Sequence, residues 1–302
     1  MGITSGAFRL FRVAGIDVFL HWSWLVVAYI LIRNRSDSYT SQVWNVAEYL
    51  AIFGIVLLHE FGHALACRQV GGKADKIVLW PLGGIAYVQP PARPGAMLWS
   101  IAAGPLVNVV LVPVTYGIFR VARSEGWELT RPDVFHFLMA LTFINAGLLV
   151  FNLLPIYPLD GGQIVYALLW FVIGRAKSLL VVSVLGLAAG LGLVGVAVWL
   201  GDIWLGLIAA FATYRSAIGF QQARLLARVL ATPRHQDAAC PSCGEAPFQG
   251  DFWLCDHCRT RFDTFQHAAQ CPQCGMQFPI TACSFCGKGY PMAEFYTAAK
   301  AR

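Results

Sequence analysis

Apolar residues in this chain gather into runs too long for the core of a soluble domain. The run at 18–32 (VFLHWSWLVVAYILI) predicts a first membrane-crossing helix, with Trp22 and Trp24 near an interface where indole rings settle. A second is predicted over 45–69 (NVAEYLAIFGIVLLHEFGHALACRQ), and further runs at 96–119, 133–153, 178–200 and 203–220 bring the total to about six. A helix needs roughly 20 residues to span hydrocarbon, which these runs approach or exceed. Between the second and third lies KIVLWPLGGIAYVQ (76–89), two β-type stretches broken by Pro81, Gly83 and Gly84, which predicts a hairpin apolar on both faces. After the fourth run Pro155 and Pro158 lack backbone donors and end the helix, so Asp160 falls on an unwound segment before a short, partly re-entrant helix over 161–173.

Composition agrees with the pattern. Of 302 residues 57% are hydrophobic and 13% charged, which excludes an ordinary soluble protein. The net charge of +6 is scattered and gives no nucleic-acid footprint. Arg9 and Arg12 precede an apolar segment without a small-residue cleavage site, so the N-terminus reads as a retained span. Six crossings put both termini on one side. That side carries Arg9, Arg12, Arg68, Lys73, Lys76, Arg93, Arg175, Lys177, Arg224, Arg228 and Arg234; the other has Arg33, Arg35, Arg120, Arg123 and Arg131. The bias predicts cytoplasmic N- and C-termini on a multi-pass integral membrane protein.

Ionisable groups at membrane depth cost several kcal/mol unless a cavity or partner receives them, so those in the second run stand out. His59, Glu60 and His63 form H-E-x-x-H; residues four apart share a helix face, so the two imidazoles can hold one metal ion while Glu60 stands ready to take a proton from its water. Satisfied polar packing is the bland alternative, and the spacing with an intervening Glu disfavours it. His59 lies about 20 Å along its helix, some 10 Å short of the cytoplasmic face of a core about 30 Å thick. Asp160 reaches a similar depth if the proline-containing segment folds inward. It would complete a His, His, Asp set with the fourth zinc position left for water. An ordinary helix-end carboxylate is its alternative role. Asn108 and Asn152 are amides in apolar helices, equally suited to helix–helix hydrogen bonds or to a place near the site. Cys67 reads as a small hydrophobe, His21 as a helix-end residue, and Glu125 and Glu128 fall in the loop on the opposite side.

HEFGH on one span, GPLVN on the next and NLLPIYPLDGG about a hundred residues later resemble the site-2 protease family of intramembrane zinc metalloproteases, over roughly residues 10–220. The short loops, with no room for a PDZ domain, are similar to its compact six-span branch. The resemblance implies His59, His63 and Asp160 as ligands of a catalytic zinc and Glu60 as the catalytic glutamate. It places Asn108 and Asn152 at motif positions near the site, as candidates for positioning substrate. The 76–89 hairpin corresponds to a family element in the membrane near the active site. The implied substrate is a membrane protein with a transmembrane helix, cut within or near that helix.

Eight of the nine cysteines follow residue 239, as Cys240-x-x-Cys243, Cys255-x-x-Cys258, Cys271-x-x-Cys274 and Cys283-x-x-Cys286. Four such turns imply two structural zinc sites of four cysteines each; disulfides are disfavoured on the cytoplasmic side. Sequential pairing resembles tandem zinc ribbons, and a crossed arrangement stays open. From residue 236 the charge is near neutral, so nucleic acid is disfavoured as a partner and a regulatory protein is preferred. The expected fold is therefore an all-α polytopic membrane protein with a membrane-associated β-hairpin and a small zinc-ribbon domain. Its divisions are 1–220 (protease core), 221–239 (juxtamembrane linker), 240–290 (double zinc-ribbon module) and 291–302 (tail). Two rival readings compete: a catalytically silent adaptor presenting the ribbon, which has no need of Glu60, and a metal transporter, which a three-ligand set beside a base suits poorly.

Overall fold

The computed structural model describes residues 6–34, 39–80, 83–284 and 286–300. It divides into two compact units, residues 1–224 and 225–302. In the first, strands β1 (Ala7–Val13) and β2 (Ile16–His21) lead to helices α1 (Ser23–Asn34) and α2 (Gln42–Gln69). Strands β3 (Lys73–Trp80) and β4 (Gly83–Gln89) follow, then α3 (Pro94–Ser124), the short α4 (Trp127–Thr130), α5 (Pro132–Leu153), α6 (Asp160–Ile173), α7 (Arg175–Leu200) and α8 (Ile203–Ala231). Among the described residues α2, α3, α5, α7 and α8 are long and apolar enough to cross a membrane, and the chain is an integral membrane protein.

The expected hairpin forms as β3–β4; Pro81 lies outside the described residues. It belongs to a larger sheet ordered β1-β2-β3-β4, with β2 parallel to β3 and the other pairs antiparallel. This corrects the span predicted from residue 18. Residues 16–21 alternate, burying Ile16, Val18 and Leu20, because β3 offers them a pairing edge. The helix starts only at Ser23 and runs 12 residues, about 18 Å. Since β2 lies beside β3, which follows α2, the chain must then travel back towards the start of α2, and α1 makes part of that journey. One face of the sheet (Ile16, Val18, Leu20, Ala74, Ile77 and Leu79) packs on Val56, Ala64 and Cys67 of α2. The helix is thereby clamped beside the stretch that carries its histidines.

Helix starts follow local chemistry. Ser41 caps α2, its hydroxyl accepting from the Val43 N–H at 3.3 Å, and α3 and α5 begin at prolines, whose missing N–H is no loss in a first turn.

The second unit begins within α8, which runs past the expected boundary at 220 to Ala231. Two-stranded sheets β5–β6 (Trp253–Leu254, Arg261–Phe262) and β7–β8 (Thr281–Ala282, Gly289–Tyr290) each frame a CxxC turn, and α9 (Met292–Lys300) closes the unit. Phe295 of α9 is wholly buried with Ala238, Cys240, Phe265 and Cys283, so residues past 290 are part of this core. Phe248, Phe262 and Phe265 are buried in this unit, whereas Phe252 is exposed.

Candidate metal centre

His59, Glu60 and His63 lie on the buried face of α2, and Asp160 is the first residue of α6. Their donor atoms converge. His59 Nε2 and His63 Nε2 are 3.1 Å apart, and Asp160 Oδ2 lies 3.0 Å from the first and 3.4 Å from the second.

The outward nitrogens fix the inward ones. His63 Nδ1 is 2.9 Å from the Ser100 carbonyl, which only accepts, so Nδ1 carries the proton. His59 Nδ1 donates in the same way to Asn108 Oδ1 at 2.6 Å, and Asn108 Nδ2 donates to Asn145 Oδ1 at 2.7 Å. Both Nε2 lone pairs therefore face each other and a carboxylate, with no proton to mediate. A cation between them resolves the conflict. Ligands about 2.0–2.1 Å from a tetrahedral zinc lie about 3.3 Å from one another, so the three separations fit such an ion.

Two close approaches build the pocket. Gly104 lies against His63: a methyl there would sit 2.8 Å from Cδ2 and closer still to Nε2 and Cε1. Gly161 and Gly162 let α6 start against the carbonyls of Leu153 and Leu154 and the nitrogen of Tyr157, which swings Asp160 back towards α2. Ser216 of α8 holds this loop, its hydroxyl donating to the Tyr157 carbonyl at 2.7 Å. Glu60 Oε2 accepts the Ala86 N–H at 2.8 Å, joining the carboxylate to β4, the outer strand of the sheet.

The structure thus brings together His59, His63, Asp160, Glu60 and Asn108. Asn152 is partly buried, and its side chain is not among those that hydrogen-bond the histidines or Asp160. His21 bonds Ser23 and stacks on Trp80 at the start of α1, away from the donors. Asn145 was missed by sequence reasoning; its signal is that it shares the buried face of α5 with Thr142 three residues before it.

In the second unit the four turns pair first with fourth and second with third. Cys240, Cys243, Cys283 and Cys286 form one set, and Cys255, Cys258, Cys271 and Cys274 the other. The sequential pairing is thereby replaced by a nested one. Sulfur separations of 3.5–3.9 Å suit a tetrahedral ion with Zn–S of about 2.3 Å and are far from a disulfide's roughly 2.05 Å. The turns are alike: Gly244, Arg259, Gly275 and Gly287 each donate to the carbonyl of the first cysteine and adopt positive φ. Each set holds a readily ionised thiol. The Thr260 hydroxyl and N–H bring Cys258 down to about 6. Burial pushes Cys240 up, but the N–H groups of Cys243 and Ser242 and the neighbouring thiols bring it to about 7.

The profile of peptidase family M50 matches residues 47–128 and 114–193. This chain belongs to peptidase family M50. A zinc metalloprotease of Methanocaldococcus jannaschii is 32% identical over 178 residues, 59% of this chain and 50% of that protein. The Rip3 protein of Mycobacterium tuberculosis is 30% identical over 241 residues, 72% of this chain and 60% of that protein. The chain thus spans half to three fifths of the length of these relatives. The solved site-2 protease from Methanocaldococcus jannaschii superposes with a TM-score of 0.51 at 25% identity, covering 71% of this chain and 95% of that one. The M50 match takes in all three donors of the helical site, while the cysteine sets lie beyond it.

Proposed function

We propose that this M50 chain is an intramembrane zinc metalloprotease that hydrolyses a peptide bond within or near a transmembrane segment of a membrane protein. The observation that carries the proposal is the convergence of His59, His63 and Asp160 beside the buried Glu60. A zinc ion held by those three would polarise the scissile carbonyl and make a water acidic near pH 7. Glu60 takes the proton of the attacking water and returns it to the leaving amine. The Ala86 N–H orients that carboxylate, and the carbonyl of Ser100 and the amide of Asn108 keep both imidazoles facing inward.

A substrate helix hides its backbone in its own hydrogen bonds, so it must unwind before it is cut. The outer edge of β4 offers the unwound segment a strand to pair with. Proline at several β4 positions should suppress cleavage; unchanged cleavage would remove the strand from the mechanism. The nested cysteine sets would hold two further zinc ions and brace a module for protein contact. The deciding comparison is Glu60→Gln. It should bind as much zinc as the parent, while only the parent cleaves a co-expressed single-span protein; equal cleavage by both sinks the mechanism.

A further inference from the structure

We propose that Asn145, acting through Asn108, fixes the orientation of His59 and so sets how tightly the helical site holds its ion; this rests on the metalloprotease reading above. Asn108 and Asn145 are both wholly buried, on α3 and α5. A carboxamide can be turned end for end with almost no change of shape. Only one orientation of Asn108 serves His59, with the oxygen at Nδ1. Reversed, the NH2 would face Nδ1 and drive the imidazole proton to Nε2, the atom that faces His63 and Asp160.

The choice is made at the far end of the amide. Asn108 Nδ2 lies 2.7 Å from Asn145 Oδ1, an atom that only accepts. With Asn145 oriented as it is, reversing Asn108 alone would set two oxygens against each other there. Asn145 Nδ2 is buried with no hydrogen-bond partner among the described residues. An unpaired buried donor is destabilising, and an apolar residue of the same size would avoid it. Asn145 is therefore a poor choice for packing alone and a good one for supplying the acceptor. It is a positioning residue: two hydrogen bonds separate it from the imidazole.

The test is a chelator titration of the full-length chain, with zinc per chain measured by elemental analysis. His59→Ala, run in parallel, gives the zinc held by the cysteine sets, to be subtracted. Asn145→Leu should weaken the helical site by about 10–100-fold, the range for groups that orient metal-bound histidines. Asn145→Ser, too short to reach Asn108, should do the same if the leucine variant does not accumulate. Asn145→Asp keeps an acceptor and should retain near-parental affinity. In an Asn108→Asp background an oxygen faces His59 whichever way the group turns, so Asn145→Leu should cost little there. An unchanged affinity in Asn145→Leu, or the same loss in both backgrounds, overturns the relay. Equal zinc in the parent and His59→Ala would instead overturn the metal site, and the relay with it.

Discussion

Replacing Gly104 by alanine is the sharpest perturbation of the helical site, because it separates the geometry of the donors from the stability of the helix. The added methyl would lie 2.8 Å from His63 Cδ2 and nearer still to Nε2 and Cε1. Carbon contacts settle at about 3.5–4.0 Å, so the ring must retreat by about 1 Å. Nε2 would then leave a triangle whose sides are now 3.0–3.4 Å. A misplacement of about 1 Å at a reacting centre costs about 100-fold in rate, or about 2.7 kcal/mol. Alanine favours the helix over glycine by about 1 kcal/mol, so α3 itself should gain. Gly104→Ala is therefore expected to accumulate normally, to lose about two orders of magnitude in cleavage of a single-span test protein, and to bind one zinc less tightly by chelator titration. Full cleavage with full zinc affinity would mean that His63 does not act from this position.

Arg259 stands where the three sister turns have glycine, at φ 61. A side chain there costs about 1–2 kcal/mol, and glycine's greater unfolded freedom offsets about 0.5–1. Arg259→Gly should therefore raise the urea midpoint for exposure of the tail thiols, and a lower midpoint would show that the guanidinium makes a needed contact. Asp263 is buried; burial raises its carboxyl, but the Gly250 N–H, His235 and the Phe265 N–H outweigh this and hold it below the usual carboxylate range. A depressed folded value contributes stability above about pH 3.9 that is lost as pH falls through it, so Asp263→Asn should flatten the acid limb of Trp253 amide exchange. Asp263→Ala, which leaves His235 and the Gly250 and Phe265 N–H groups without their acceptor, should cost about 1–3 kcal/mol, measured by the rate of Cys255 labelling. Changing Cys240 and Cys243 to serine should remove tail zinc and spare the zinc that His59→Ala abolishes.

Much of the helical site was legible because its chemistry is local. His59, Glu60 and His63 owe their shared face to helix periodicity alone, and the prolines before Asp160 announce the break that lets it turn back. The hairpin was legible too, but the first half of the sheet was not, because residues 16–20 satisfy two patterns at once. They alternate as a strand, yet they begin a run apolar enough for a membrane span. Pairing with β3, more than fifty residues away, decides between them. The nested cysteine pairing is hidden for a similar reason. Four CxxC turns with the same internal hydrogen bonds are interchangeable in sequence. What distinguishes them is the core they share: Phe265 and Phe295 pack with the first and fourth turns, and Phe262 with the second and third. Asn145 carries no motif of its own beyond being an amide where its neighbours are apolar.

The contrast between the two kinds of donor set follows from what each leaves open. Four thiols from two turns surround an ion completely, and such a site can only hold chain segments together. Two imidazoles and one carboxylate leave a position free, and next to the histidines on α2 stands a second carboxylate, Glu60, held by a strand. In a membrane a strand with an open edge is tolerated only where protein or a watery cavity receives its backbone groups. Here the sheet packs on α2, and its outer strand already commits one N–H to Glu60. On the proposed reading, the same edge solves two problems: it orients the base and receives a peptide that has lost its helical hydrogen bonds. That joint role explains why a hairpin apolar on both faces lies beside buried ionisable groups, a placement that neither packing nor metal binding alone requires.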